Sequence, residues 1–330
     1  MRVEASVTSL SWIPSEAIGG IMRAPFDIGP MHYDDPPPDH IDDLETLARS
    51  GAVRFINSMR AWIEVEDGLI VEHGQVGKGL MGKTKLGFGS RKILYPTIRM
   101  PDLRSEEPSK LSVRFIQTTG GRPAIPLPRR LNRPPFVQIM PPVVWTTLAL
   151  TMNADGSSKQ EVIGASPFPR HWIYDAKGDL TSKVAVTDFA SWSGDIFGER
   201  TPWGKEDSPA FVTQVETAVE RELSEQIMRG GAKPEVRKLA AGQTLVEQGQ
   251  AGDNLFLLLD GVLSVEVDGK GLAEVGPGAI LGERALLEGG TRTATLRALT
   301  PIRVAVATAD QVSAEALAEV AGGHRREENR

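Results

Sequence analysis

Between Gly242 and Gly278 the chain sets glycine at nearly every corner, at Gly242, Gly249, Gly252, Gly261, Gly269, Gly271, Gly276 and Gly278, with apolar runs such as NLFLLLD and VLSVEV between them. Segments this short are the length of strands rather than of self-supporting helices, so this region reads as a compact roll or barrel of hairpins. Just upstream, Phe211, Val215, Val219, Leu223 and Ile227 recur every four residues, with Val212 and Met228 alongside. That spacing predicts one amphipathic helix from Pro209 to about Arg229, entered at Ser208 and Pro209 and ended by Gly230 and Gly231. Three parts follow: a domain over residues 1–207, a connecting helix over 208–231 and the roll over 232–330. No long-period internal repeat is present.

Within the roll, GERALLEGGTRTATLRA (residues 282–298) sets one carboxylate, one guanidinium and several small residues close together. A sugar phosphate needs such a set: a guanidinium pairs with the phosphate, while a carboxylate accepts from a sugar hydroxyl and repels phosphate, so the two face different parts of one ligand. A single helical turn after Gly282 would aim free backbone N–H groups at an anion, and Gly289-Gly290 would return Arg292 over it. Thr293 and Ala294 leave room.

At these residues the sequence resembles the cyclic nucleotide-binding domain family. Its phosphate-binding cassette runs Gly-Glu-x-Ala-Leu, then a variable segment, then Arg, a small residue and Ala, which Gly282-Glu283-Arg284-Ala285-Leu286 and Arg292-Thr293-Ala294 match. The run from Gly242 to Val267, with its Gly252-Asp253 turn and Gly261, resembles the family's first hairpins. The resemblance covers about Lys238 to Ala307. It implies a β-roll with flanking helices, Glu283 on the ribose 2′-hydroxyl, Arg292 on the cyclic phosphate, and backbone groups near Ala285, Leu286 and Ala294 completing the cradle. Arg284 departs from the apolar residue many members carry. Thr293 is associated with cGMP in some members without enforcing it, so cAMP and cGMP both stand as ligands, with no other cofactor implied.

The segment after the roll predicts one short helix, Val312 to about Val320, and a charged tail, in which His324, Arg325 and Arg326 either fold over the purine as a lid or stand solvated; the solvated tail is the expectation. Too little chain follows for a helix-turn-helix module, and the net charge of −6 argues against a nucleic-acid partner. The chain contains no cysteine, which excludes disulfides and thiolate chemistry and fits a cytoplasmic setting. The amino terminus lacks a signal-peptide pattern. The most apolar run, Phe136 to Leu150, is broken by Gln138, Pro141 and Pro142, so no membrane span is expected.

Before the helix the pattern is β-rich. Arg54 to Glu72 reads as a hairpin hinged on Asp67-Gly68, and further strands are expected at SVTSLSW, LSVRFIQTT, VVWTTLALTM, HWIYD and VAVTDFASW. With short helices near Ser15 to Met22 and Asp42 to Arg49, the order suits a helix-grip domain; a barrel or sandwich suits the same strands. The fold class is α+β. His32, Asp34, Asp35, Asp39 and His40 form a metal-like set, but three intervening prolines spread them, and an exposed loop without metal is expected. Alternation sets His171 on the face of Asp175, an acid–base pair or a satisfied structural histidine. LMGKTKLGFGSR reads as a basic hairpin, and RPAIPLPRRLNRPP as a semi-rigid crossover.

These features lead to a cyclic-nucleotide-responsive regulatory protein whose roll controls an amino-terminal binding or assembly module. The alternative is an enzyme under the same control, which the lack of a dense catalytic signature makes the weaker reading. The 209–229 helix is the candidate route of coupling, through Leu223 and Ile227, or else an inert core helix or a homodimer seam.

Overall fold

A computed structural model describes residues 1–14, 17–18, 33–50, 52–82, 84–88, 91–95, 97–122, 127–130, 134, 137–140, 143–186, 201–204, 210–229 and 234–328. The chain divides into two compact units, one chiefly of residues 1–212 and one chiefly of residues 213–330.

In the first unit, five consecutive neighbours of one antiparallel sheet run in the order Leu180–Val184, Arg170–Tyr174, Arg2–Trp12, Phe55–Glu66, Leu69–Met81. A second antiparallel sheet orders Ser158–Ala165, Val144–Asn153 and Ser112–Arg122, with Ile98–Arg99 and Leu103–Pro108 both on the far edge of the last. Period-two alternation explains why these sheets face one another. Ala5 and Val7, then Met59, Ala61, Ile63 and Val65, project from the first sheet into a core shared with Val113, Phe115, Leu148, Leu150 and Met152 of the second. Polar side chains also cross this gap: Asn57 Nδ2 donates to the Thr146 carbonyl at 2.9 Å, and Gln117 Nε2 donates to Asn57 Oδ1 at 2.9 Å. The Asp67-Gly68 hairpin forms as read, with both residues at positive φ (49° and 75°), the signature of a two-residue primed turn. Thr84–Phe88 pairs with Arg91–Tyr95 as the expected basic hairpin.

Of the arrangements open to these strands, the described residues form two facing sheets. The helix expected at Asp42 to Arg49 is Leu44–Ser50 (α1), and it buries none of its residues, so it fills no sheet. The stretch near Ser15 to Met22 lies almost wholly outside the described residues.

The second unit is a roll of two four-stranded antiparallel sheets, ordered Glu235–Leu239, Ile302–Thr308, Asn254–Asp260, Ile280–Leu281 and Thr244–Val246, Thr295–Ala298, Leu263–Val267, Lys270–Val275. The unbroken apolar run of Asn254–Asp260 is explained by burial on both faces. Phe256 and Leu258 point into the roll with Leu263, Leu296, Ile302 and Val304, while Leu255, Leu257 and Leu259 point out beneath two helices. Gly261 turns the chain at φ 83°, and a Cβ there would stand 2.3 Å from the Pro301 carbonyl.

Both helices differ from the sequence expectation. The first, Ala218–Arg229 (α2), starts nine residues after Pro209. Thr217 and Glu220 form a reciprocal cap: the Thr217 N–H donates to Glu220 Oε2 at 2.8 Å, and the Glu220 N–H donates to Thr217 Oγ1 at 3.2 Å. Val212–Thr213, upstream, is extended and pairs as a short strand. Ser208, Pro209, Gly230 and Gly231 lie outside the described residues. The stripe therefore shortens to Val219, Leu223 and Ile227, which pack with Leu255, Leu257, Ile280, Leu317 and Val320 of the same unit. The short cassette helix is Glu283–Leu287 (α3). The last helix, expected over Val312 to Val320, is Ala314–Glu328 (α4) and continues through Gly322 and Gly323.

Candidate functional site

The site is built where α3 follows the strand Ile280–Leu281. Gly282 caps the helix at φ 87°, a left-handed conformation that suits glycine, and a Cβ there would lie 2.5 Å from Arg292 Nη1. Gly252 is equally tight, its hypothetical Cβ 2.2 Å from Arg292 Nε. Two glycines thus flank the guanidinium. The backbone holds the arginine from the other side: the Arg292 N–H donates to the Gln250 carbonyl and the Gly249 N–H donates to the Arg292 carbonyl, both at 2.8 Å.

Arg292 is 5% exposed. Its Nη1 donates to the Asn254 carbonyl at 2.9 Å and to the Gly282 carbonyl at 3.4 Å, and its guanidinium carbon stands 5.1 Å from the centre of the Phe256 ring. Nε is buried with no hydrogen-bond partner among the described residues. Burial pushes the guanidinium below its ordinary pKa, and the charges of Asp253 and Glu283 offset this only in part. It stays protonated all the same. A buried cation that forms no ion pair among the described residues and carries an orphan donor favours an anion beside it.

Glu283, its side chain 4% exposed, receives a hydrogen bond at 2.9 Å from His324 Nδ1 of α4. His324 Nε2 lies 3.8 Å from Glu220 Oε1 of α2. The carboxylates of Glu220 and Glu283 hold the imidazole up to about 10, so it is an imidazolium at neutral pH. Burial would raise the Glu220 carboxyl, yet its bonds to His324 and to the Thr217 N–H carry it below the usual carboxylate range. One cavity of about 190 Å³ is lined by Gly282, Glu283, Arg284, Ala285, Arg292, Thr293, Ala294 and His324, closed on other sides by Val246, Val265, Leu272, Val275 and Leu296. A guanidinium, a carboxylate and an apolar wall therefore meet in one recess.

Residues 236–317 match the family described as cyclic nucleotide-binding domain. The carboxy-terminal third carries a cyclic nucleotide-binding domain. Over 64 residues the chain is 39% identical to the cGMP-dependent protein kinase egl-4 of Caenorhabditis briggsae, a match covering 19% of this chain and 8% of that protein. The chain thus spans less than a tenth of the length of that curated relative. Among solved structures, the EAL enzyme Bd1971 in its cGMP-bound form is 30% identical, covering 24% of this chain and 22% of that one, with a TM-score of 0.23. The regulatory subunit of a cAMP-independent protein kinase A from Trypanosoma brucei is 21% identical, covering 29% and 35%, with a TM-score of 0.25.

In this domain the structure brings Gly282, Glu283, Ala285, Arg292, Thr293 and Ala294 together around the cavity, whereas the Leu286 side chain packs with the core beneath α2 and α4. Arg284 also lines the cavity, and its Nη2 lies 3.5 Å from Glu288 Oε2. The structure corrects the solvated-tail expectation for His324, which lines the cavity and bonds Glu283. Glu220 carries no expectation from the sequence, although Thr217-x-x-Glu220 is a legible cap signal.

The other polar constellations resolve as structural. His171 is fully buried, with Nδ1 2.7 Å from Ser11 Oγ and Nε2 2.9 Å from the Ser166 carbonyl, and desolvation lowers its pKa to about 4. Asp175 instead accepts from the Lys177 and Asp179 N–H groups. The metal-like set separates: Asp34 is buried against Arg54 at 2.7 Å, correcting the exposed-loop expectation there, and His40 pairs with Asp179 at 2.7 Å. His32 lies outside the described residues. No helix among the described residues is long and apolar enough to cross a membrane.

Proposed function

We propose that this chain is a cyclic-nucleotide-responsive regulatory protein that binds cAMP or cGMP in the roll and thereby controls its amino-terminal unit as a binding or assembly module. The observation that carries the reading is Arg292, a buried guanidinium with an orphan Nε–H, in the same recess as Glu283. In this reading Arg292 binds the cyclic phosphate and Glu283 accepts from the ribose 2′-hydroxyl. Backbone groups near Gly282, Ala285, Leu286 and Ala294 close around the phosphate, and Thr293 sits beside it. The apolar wall of Val246, Val265 and Leu272 offers a surface for a purine. Two opposite charges in one small cavity favour such a ligand over a simple anion, which would gain from Arg292 but be repelled by Glu283. Calorimetric titration of the full chain with cAMP and cGMP tests the reading. Saturable binding of either is expected, and heat no different from that of a non-cyclic nucleoside monophosphate would overturn it.

A further inference from the structure

The geometry points to His324 as a further ligand-binding determinant: a positioning residue on α4 that holds the Glu283 carboxylate by one oxygen and presents the other to a ligand hydroxyl. The inference rests on the proposed nucleotide reading and deepens it.

Nδ1 of His324 engages Oε1 of Glu283 at 2.9 Å, and Oε2 carries no hydrogen bond among the described residues. The imidazolium is itself held from the far side by Glu220, at 3.8 Å from Nε2. Glu220 is fixed in turn by the Thr217 N–H at 2.8 Å and the buried Ile280 N–H at 3.3 Å. The ring is therefore aimed from both nitrogens, and three helices converge on one proton-bearing group.

A competing interaction explains what this hold achieves. Glu283 and Arg292 line the same recess, and Arg292 forms no ion pair among the described residues. A Glu283 carboxylate released from His324 would be drawn toward that guanidinium, because a buried carboxylate without a partner is strongly disfavoured. That swing would withdraw the acceptor from the sugar and neutralise the cation the phosphate needs. His324 keeps the two charges apart. Its attachment also gives α4 a contact beyond Gly322 and Gly323, residues that disfavour a helix interior.

The test uses the full chain and titrates cAMP, cGMP and their 2′-deoxy analogues into the parent and three variants. In His324→Asn the amide nitrogen falls near the position of Nδ1 and can still reach Glu283, whereas in His324→Gln it falls near Nε2 and reaches Glu220 instead. His324→Ala and His324→Gln are expected to weaken binding about tenfold, the loss of one charge-assisted bond, and to shrink the preference for the ribonucleotide over its 2′-deoxy analogue. His324→Asn is expected to keep most of that preference. Retention of the parent's ribose preference in a folded His324→Ala protein overturns the inference while leaving nucleotide binding intact. Identical loss in all three variants overturns it too, making His324 a packing residue. A parent that binds no cyclic nucleotide overturns both this and the proposed function.

Discussion

At the scale of single residues, two histidines are displaced from the ordinary value in opposite directions, His324 upward and His171 downward. Arg292 sits between them in character: charged, buried, and short of partners. Its replacement by alanine removes the charged donor assigned to the phosphate, so binding should weaken by about 1.5 to 3 kcal/mol, roughly ten- to a hundredfold in Kd. Calorimetry on Arg292→Ala checks this, and an unchanged Kd would remove the residue from the site. His171 is neutral when folded, its pKa lowered to about 4 by burial. Below pH 6.5 the unfolded chain takes up a proton that the folded chain refuses, so stability is lost as pH falls through that window, by about 2 kcal/mol at pH 5. Acid melting should therefore begin above the range in which most carboxylates titrate. A His171→Gln variant should be less stable but lack this loss between pH 6.5 and 5; a parent that loses no more stability than the variant over that range would contradict the buried neutral assignment. This residue's outcome was half legible: strand alternation placed it, but Ser11, 160 residues away, supplies the partner that no local pattern reveals.

At the scale of elements, the sequence reports what is periodic and local, and misses what is set by contacts across the chain. The Asp67-Gly68 hairpin, the two-sided apolar strand Asn254–Asp260 and the cassette at Gly282 were all legible, because each is written in consecutive residues. The start of α2 was misread because Phe211 and Val215 continue the four-residue spacing by coincidence; Phe211 is in fact exposed. The Thr217–Glu220 cap decides the start instead. Thr217→Ala should cost about 1 kcal/mol of stability in the roll by freeing one end of α2 and loosening Glu220. Denaturant titration against the parent measures it, and a cost near zero would show that packing of Leu223 and Ile227 alone fixes the helix. The extent of α4 was hidden for a different reason. Two adjacent glycines disfavour a helix on propensity, and the contacts that hold α4 come from across the chain: Leu317 and Val320 in the core beneath it, and His324 against groups 41 and 104 residues upstream.

At the scale of the whole molecule, regulation requires that ligand in the roll change the amino-terminal unit, and the sequence supplies a reporter for it. All six tryptophans, Trp12, Trp62, Trp145, Trp172, Trp192 and Trp203, precede the roll. Tryptophan fluorescence therefore follows the first unit alone, while hydrogen exchange at residues 282–294 follows the site. A ligand at a hundred times its Kd stabilises the unit that binds it by about 2.7 kcal/mol. If the two units unfold independently, none of that appears in the tryptophan signal. If they are coupled, part of it must, because a ligand that biases one unit through the other is reciprocally bound more tightly when the other is folded. The expected outcome is a tryptophan-monitored melting temperature that rises by several degrees with cAMP or cGMP and does not rise in Arg292→Ala. Protection of the cassette with an unmoved tryptophan transition would leave a competent nucleotide site that controls nothing in residues 1–212, and the regulatory half of the proposal would fail.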